Sequence, residues 1–93
     1  EKFYTDIAIF SCRGIDGNGT YEANYNQALI KQKMIKNTKK AILLVDSTKF
    51  NMTHFFKLAY FEDIDYIITD KKPDDKFLEK VNEVCEVVWP DFE

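Results

Sequence analysis

The stretch AILLVDSTKF, residues 41–50, places a continuous apolar run directly before a group of polar and charged side chains. Apolarity that does not alternate is typical of a strand covered on both faces, as in a parallel sheet. Three further short runs of this kind occur along the chain: Ile7–Cys12, Tyr66–Thr69 and Glu86–Trp89. The four runs together predict an α/β fold with a mostly parallel sheet and covering helices.

The first helical stretch runs from Ala23 to Asn37 and carries two apolar stripes. Tyr25, Ala28, Leu29 and Ile35 form one stripe, and Ile30 and Met34 lie nearly opposite. One stripe can pack on the sheet, so we expect the other to meet a different surface, such as a second subunit.

A second helix is predicted after Pro73, where a fixed φ and two aspartates suit a helix start. Phe77, Val81 and Val84 then follow at helical spacing and should cover the sheet. Between the second and third apolar runs we expect an irregular segment with a short helix. This alternation of strands and helices is typical of βαβ crossovers.

The composition is that of a globular protein in the cytoplasm. Of the 93 residues, 45% are hydrophobic and 15% aromatic, so a packed interior is expected. A net charge of −3 argues against a broad nucleic-acid surface. The chain shows no signal-peptide pattern and no apolar run long enough to cross a membrane.

The two cysteines, Cys12 and Cys85, predict buried free thiols, since their spacing suggests neither a disulfide framework nor a zinc site. Cys12 and the single histidine, His54, could together form a nucleophile and its base. One such pair in a short chain is a weak coincidence, so we predict no catalytic residues, no metal and no cofactor.

All three glycines lie between Ile7 and Tyr25, in the stretch IAIFSCRGIDGNGTYEANY. Glycine is used where the chain needs positive φ or where another group approaches the backbone closely. The sequence predicts a glycine- and asparagine-rich loop from Gly14 to Asn24. GIDGNG is not GxGxxG, and no GxxxxGK[ST] occurs, so nucleotide-binding fingerprints are absent.

Ligands of open parallel sheets bind beyond the carboxyl ends of the strands, so the residues after each apolar run are candidate binding residues. After the first two runs these are Ser11, Arg13, Gly14, Asp46, Ser47 and Lys49, and after the third run Thr69, Asp70 and Lys71. If the strands are neighbours, these residues should converge at one edge of the sheet. Cations and free amides can hold a phosphate, while carboxylates accept hydrogen bonds from sugar hydroxyls. In the alternative interpretation the aspartates cap turns, Lys49 is solvated and the glycines only close a loop.

The order of segments resembles the C-terminal effector-sensing domain of DeoR-family bacterial transcriptional regulators. The segments are DIAIFSCRGID, NQALIKQKMI, AILLVDSTKF and FFKLAYFEDIDYIITDKKP. DSTKF is similar to the family's D-S/H-S-K-F block, and DIDYIITD is similar to its I-D-x-I-I-T-D run. The resemblance covers residues from about Asp6 to Val88.

This resemblance implies a fold similar to that of sugar-phosphate isomerases and CoA transferases. It also implies a sensor, usually of a repressor, that binds a phosphorylated sugar or related intermediate at Gly14, Asp46, Lys49 and, in the helix, Lys31. Residues 1–93 would be a single truncated sensor domain, with the helix-turn-helix DNA-binding domain upstream of it. Self-association into a homo-oligomer is expected.

Two other functions are open at this point. A sugar-phosphate isomerase of the same fold would use similar phosphate contacts together with a carboxylate base. A receiver domain would also place Asp46 after a strand, but it needs an acidic pair behind the first strand. This chain has Ser11 and Cys12 there, so we set the receiver domain aside.

Overall fold

A computed structural model describes residues 4–91. In chain order the elements are β1 (Thr5–Phe10), β2 (Gly14–Asp16), β3 (Gly19–Glu22), α1 (Tyr25–Lys36), β4 (Thr38–Leu44), β5 (Phe56–Ala59), β6 (Tyr66–Ile68), α2 (Asp75–Val81) and β7 (Glu86–Val88). Two short 3-10 turns, Ser47–Lys49 and Phe61–Asp63, follow β4 and β5.

The larger sheet contains four parallel strands in the order β1-β4-β6-β7. Ile9 pairs with Ile42, Leu43 with Ile67, and Ile67 in turn with Val87. These strands are the four apolar runs of the sequence, with their ends shifted by a few residues. The predicted α/β class and parallel sheet are therefore confirmed.

A second, antiparallel sheet of the order β2-β3-β5 was not predicted. The segment 14–24 was expected to be a loop, and this prediction was wrong, because most of it forms a hairpin of β2 and β3. The segment between β4 and β6 also contributes a strand, β5, where only a short helix was expected. Strands of three or four residues that contain glycine carry little β-propensity, so their pairing comes from tertiary context.

The glycines Gly14 and Gly19 show the two uses expected from the sequence, close approach of another group and positive φ. A Cβ at Gly14 would lie 2.4 Å from the backbone oxygen of Met52, so only glycine permits this close approach of two chain segments. Gly19, at the start of β3, has a φ of 143°, a conformation that residues with a side chain rarely adopt. Gly14 is therefore required by the close approach of the Met52 backbone, and Gly19 by its own backbone conformation.

Helix α1 begins after Asn24, whose side chain accepts a hydrogen bond from the Gln27 amide at 3.1 Å. Ala28 is its only buried residue, and Ile35 packs partly against the core. Tyr25 and Leu29 are 56% and 42% exposed. Of this stripe, Ala28 and Ile35 therefore pack against the rest of the described chain, while Tyr25 and Leu29 remain exposed.

Helix α2 follows its predicted start. The Asp74 side chain accepts a hydrogen bond from the Phe77 amide at 2.8 Å, and Phe77, Leu78 and Val81 are buried in the core. Val84 was expected to continue the buried stripe, but the helix ends at Val81 and Val84 is exposed.

The two faces of the larger sheet differ in cover. Phe10, Ala41, Leu43 and Ile67 face a core that also contains residues of α2 and β5. The opposite face, here called the open face, carries apolar side chains that are exposed within residues 4–91: Ile7, Ile9, Leu44, Ile68 and Val88. The prediction that both faces are covered was therefore wrong for the described part of the chain.

Candidate functional site

The residues after β4 form a tight turn around Asp46. Its carboxylate caps the 3-10 turn by accepting hydrogen bonds from the Thr48 amide at 2.9 Å and from the Thr48 hydroxyl. Lys49 Nζ lies 3.4 Å from the second carboxylate oxygen. The hydrogen bonds from Thr48, assisted by Lys49, hold the pKa of Asp46 below its usual value. Asp46 is therefore an ionised acceptor at the edge of the sheet.

The end of β6 contributes a second carboxylate to the same edge. Asp70 accepts hydrogen bonds from the Ser47 amide at 2.7 Å and from the Ser47 hydroxyl at 3.2 Å. Desolvation raises the pKa of Asp70, but the hydrogen bonds from Ser47, from its own amide and from Thr69 outweigh it, so the pKa is lowered. The strand ends therefore converge as the sequence predicted.

The glycine-containing segment runs beside this turn. Ile15 forms a bridge with Phe50, and the Asn51 amide donates to the Ile15 carbonyl at 2.8 Å. Gly14 and Lys49 each precede a residue of that bridge, so the structure brings these two predicted site residues together. Arg13, one residue earlier, is exposed and has no ion-pair partner among residues 4–91.

Ser11 and Lys31 meet at the end of β1. Lys31 Nζ donates to the Ser11 carbonyl at 2.8 Å and contacts the Ser11 hydroxyl at 3.4 Å. The same ammonium lies 2.6 Å from the carboxylate of Glu22, the last residue of β3. The predicted site residues thus form two groups, one around Lys31 and one around Asp46, and no hydrogen bond between described residues joins them directly.

A cavity of about 350 Å³ opens beside Ser11 and Lys31. It lies where β1 and β4 end, and its remaining walls are apolar: Ile9, Phe10, Met34 and Leu44. Mostly apolar walls with a few fixed polar groups are typical of small-molecule sites. We call this cavity the strand-end cavity.

A larger groove of about 670 Å³ lies between α1 and β5. It is bordered by Leu29 and Ile30 on the helix and by Leu58 and Tyr60 on the other side. None of the predicted site residues lines it. Because it is not at the carboxyl ends of the parallel strands, we assign the candidate site to the strand ends.

Nucleophilic catalysis does not fit this arrangement. Burial raises the pKa of the Cys12 thiol to about 11, so the thiol stays protonated near neutral pH. His54 Nε2 lies 3.1 Å from the Arg13 carbonyl and thus contacts backbone instead of serving as the base of Cys12. Both cysteines are free and buried, as predicted. Residues 4–91 contain no group of acidic, histidine or cysteine side chains that could hold a metal ion.

Glu22 is the residue of this region that sequence reasoning missed. Its position fell in the segment expected to be a loop, where a glutamate is ordinarily solvated. Its partner is nine residues away and on a different element, so no helical or strand periodicity links the two. The structure instead buries its side chain to 4% exposure against Lys31.

The comparisons with known proteins decide the family. The model of the DeoR C terminal sensor domain matches residues 1–71 of this chain. The chain belongs to the DeoR family of sensor domains. The DSTK turn and the glycine-containing segment both lie inside the matched region, so the resemblance expected from the sequence is confirmed.

Curated relatives of this DeoR-family chain are transcriptional regulators. An L-fucose operon activator of Haemophilus influenzae is 38% identical over 76% of this chain. The repressor GlcR of Bacillus subtilis is 32% identical over 83% of it, and a glycerol-3-phosphate regulon repressor of Escherichia coli 29% over 78%. The matches span 29%, 30% and 29% of those proteins, respectively. These relatives are thus regulators and not enzymes, and this chain is a sensor domain, as predicted.

The structure also bears on membrane association. No helix between residues 4 and 91 is long and apolar enough to cross a membrane. The longer of the two, α1, has 12 residues.

Proposed function

We propose that this chain senses a phosphorylated sugar or small polyol for a cytoplasmic bacterial transcriptional regulator of carbohydrate metabolism, usually a repressor. The full-length protein would bind DNA through a separate helix-turn-helix domain, and the effector would modulate that binding. The names of the relatives support the regulatory role, because they refer to a fucose operon and a glycerol-3-phosphate regulon. A likeness to the sugar-phosphate isomerase and CoA-transferase fold is part of the same proposal.

One observation carries the proposed ligand. The bridge between Ile15 and Phe50 lays the Arg13–Gly14 segment beside the turn of Asp46 and Lys49. The turn itself combines the Lys49 ammonium and backbone amides with the ionised carboxylate of Asp46, and Arg13 lies two residues before the bridge in the chain. Cations and amides are the usual contacts of a phosphate, and a carboxylate accepts hydrogen bonds from sugar hydroxyls.

The proposed effector contacts divide between the two groups of residues. Arg13, Gly14 and Lys49 would hold the phosphate, while Asp46 and Ser47 would orient Lys49 and the hydroxyls. Ser11 and Lys31 would line the strand-end cavity, which receives the remainder of the effector. Asp46 accepts hydrogen bonds in this scheme and transfers no proton.

Isothermal titration calorimetry with glycerol 3-phosphate and glucose 6-phosphate tests the phosphate contact, with free glycerol and glucose for comparison. Lys49→Ala removes a charge-assisted hydrogen bond and should weaken binding by about 1.5–3 kcal/mol. Lys76→Ala is the matched control, because Lys76 is exposed on α2. Equal affinities of the parent chain and Lys49→Ala would remove Lys49 from the site.

We also propose that the chain forms a homo-oligomer, most simply a two-fold dimer. Ile30 and Met34 on α1 are 55% and 38% exposed, and the open face adds further apolar surface. Contiguous exposed apolar surface favours association with another chain, and two-fold dimers are the commonest closed assembly.

A further inference from the structure

Lys31, which lines the strand-end cavity, forms an ion pair with Glu22. Only 4% of the Glu22 side chain and 15% of the Lys31 side chain are exposed. The three ammonium hydrogens of Lys31 have three acceptors within reach: the Glu22 carboxylate at 2.6 Å, the Ser11 carbonyl at 2.8 Å and the Ser11 hydroxyl at 3.4 Å. Lys31 has therefore no unused donor for a phosphate.

The pair also makes the cavity electrically neutral. A buried charge requires a partner, and here each residue of the pair is the partner of the other. A phosphate that approached Lys31 would meet the negative charge of Glu22 directly behind it. Because Glu22 already neutralises Lys31, the cavity offers a dianion no uncompensated cation.

The cations of the second group are in a different situation. Arg13 has no ion-pair partner in the described part of the chain. Lys49 forms an ion pair with Asp46, whose side chain is 54% exposed, and its ammonium also donates to the Thr48 hydroxyl at 3.3 Å. An exposed ion pair is weak, so Lys49 can exchange its partner for a phosphate at low cost. A phosphate is thus favoured at Arg13 and Lys49 over the cavity.

We propose that Glu22 determines specificity: by neutralising Lys31, it makes the strand-end cavity accept an uncharged, hydroxyl-bearing carbon skeleton and directs the phosphate to Arg13 and Lys49. This inference rests on the proposed function in taking the effector to be phosphorylated. The walls suit such a skeleton, because Ile9, Met34 and Leu44 can pack against its C–H groups. The Ser11 hydroxyl, whose contact with Lys31 is the longest of the three, can bond to a hydroxyl of the ligand.

The decisive variant is Glu22→Gln, which keeps the shape of the side chain and removes its charge. Lys31 then becomes a buried cation without a counter-ion, and inorganic phosphate can take that place. Thermal unfolding is measured in sodium phosphate and in sodium chloride of equal ionic strength, and phosphate affinity by calorimetry. We expect Glu22→Gln to bind inorganic phosphate at least about fivefold more tightly than the parent and to be stabilised by it.

Two further variants define the origin of that gain. Glu79→Gln removes a charge from an exposed position of α2, so its response to phosphate should equal that of the parent. Adding Lys31→Met to Glu22→Gln removes the uncompensated cation and should abolish the gain. A Glu22→Gln protein that responds to phosphate no more than the parent would overturn the proposal, as would a gain that persists without Lys31.

A measurement on the unaltered chain covers the case in which Glu22→Gln does not fold. Side-chain NMR signals of the lysines and arginine are followed during titration with inorganic phosphate. The signals of Lys49 and Arg13 should move while that of Lys31 stays, and a Lys31 signal that moves with the same affinity as Lys49 would contradict the proposal. If no sugar phosphate binds the parent chain, the proposed function fails, whereas the response of Glu22→Gln still decides the role of Glu22.

Discussion

Both faces of the four-stranded sheet carry apolar side chains, but the two faces differ in cover. On β6, Ile67 points into the core and is fully buried, whereas its neighbour Ile68 lies on the open face and is 40% exposed. The same alternation occurs on β1, where Phe10 is buried and Ile9 is 54% exposed. An unbroken run of apolar residues therefore indicates a strand of a parallel sheet. It does not indicate which face of that sheet the described residues cover.

The largest effect is expected from a matched pair of substitutions across this comparison. Ile67→Ala leaves a cavity in the closed face and should cost about 2–5 kcal/mol of the free energy of unfolding. Ile68→Ala, one residue further on the open face, should cost less than about 1 kcal/mol, because its side chain already contacts solvent. Urea unfolding followed by circular dichroism measures both.

The same two substitutions also test whether the open face is uncovered in solution. If Ile68→Ala destabilises the chain as strongly as Ile67→Ala, the open face is covered in solution. A concentration dependence of that effect would then identify the cover as another copy of the chain.

An intermediate effect is expected from the exposed stripe of α1. Light scattering coupled to chromatography should give a mass above the 11.0 kDa of one chain at micromolar concentration. Ile30→Lys with Met34→Lys should weaken self-association at least about tenfold, or ~1.4 kcal/mol, since two charges would be buried at the contact. Asn26→Lys, at an exposed position of the same helix, is the control.

The result separates the two apolar surfaces. Dimers that resist the α1 substitutions but dissociate with Ile9→Lys would assign the contact to the open face. A chain that runs as a monomer throughout this concentration range would show that neither surface mediates self-association.

The smallest effect is expected from a polar feature of the open face. Lys40 Nζ lies 5.7 Å from the centre of the Tyr66 ring, a cation–π contact at an exposed site. Lys40→Gln removes it and should cost about 0.5 kcal/mol in the same urea experiment. Lys76→Gln, at an exposed position of α2, is the control for the loss of a surface charge. A cost above that of Ile68→Ala would show that the contact is more protected from water than its exposure suggests.

The larger sheet could be predicted from the sequence because its signal is local. Each strand is a short apolar run followed by polar residues, and the helix start at Asp74 uses the ordinary capping chemistry of aspartate. The convergence of Ser47 and Asp70 follows from the same pattern, since parallel strands end at one edge.

The smaller sheet and the environment of Lys31 could not be predicted in this way. The sequence marked Gly14 as a position where glycine has a structural role. The backbone oxygen that leaves no room for a side chain there belongs to Met52, 38 positions later in the chain. Glu22 and Lys31 likewise meet only because the hairpin of β2 and β3 folds back toward α1. Contacts of this kind depend on tertiary geometry, which no period of two or 3.6 residues encodes.

The strand order of the larger sheet has a consequence for how it can be assembled. In the order β1-β4-β6-β7, each strand lies next to the strand of this sheet that comes before it along the chain. No strand has to be inserted between two that are already paired. The sheet can therefore grow by addition at a single edge, in the same direction in which a ribosome delivers the chain.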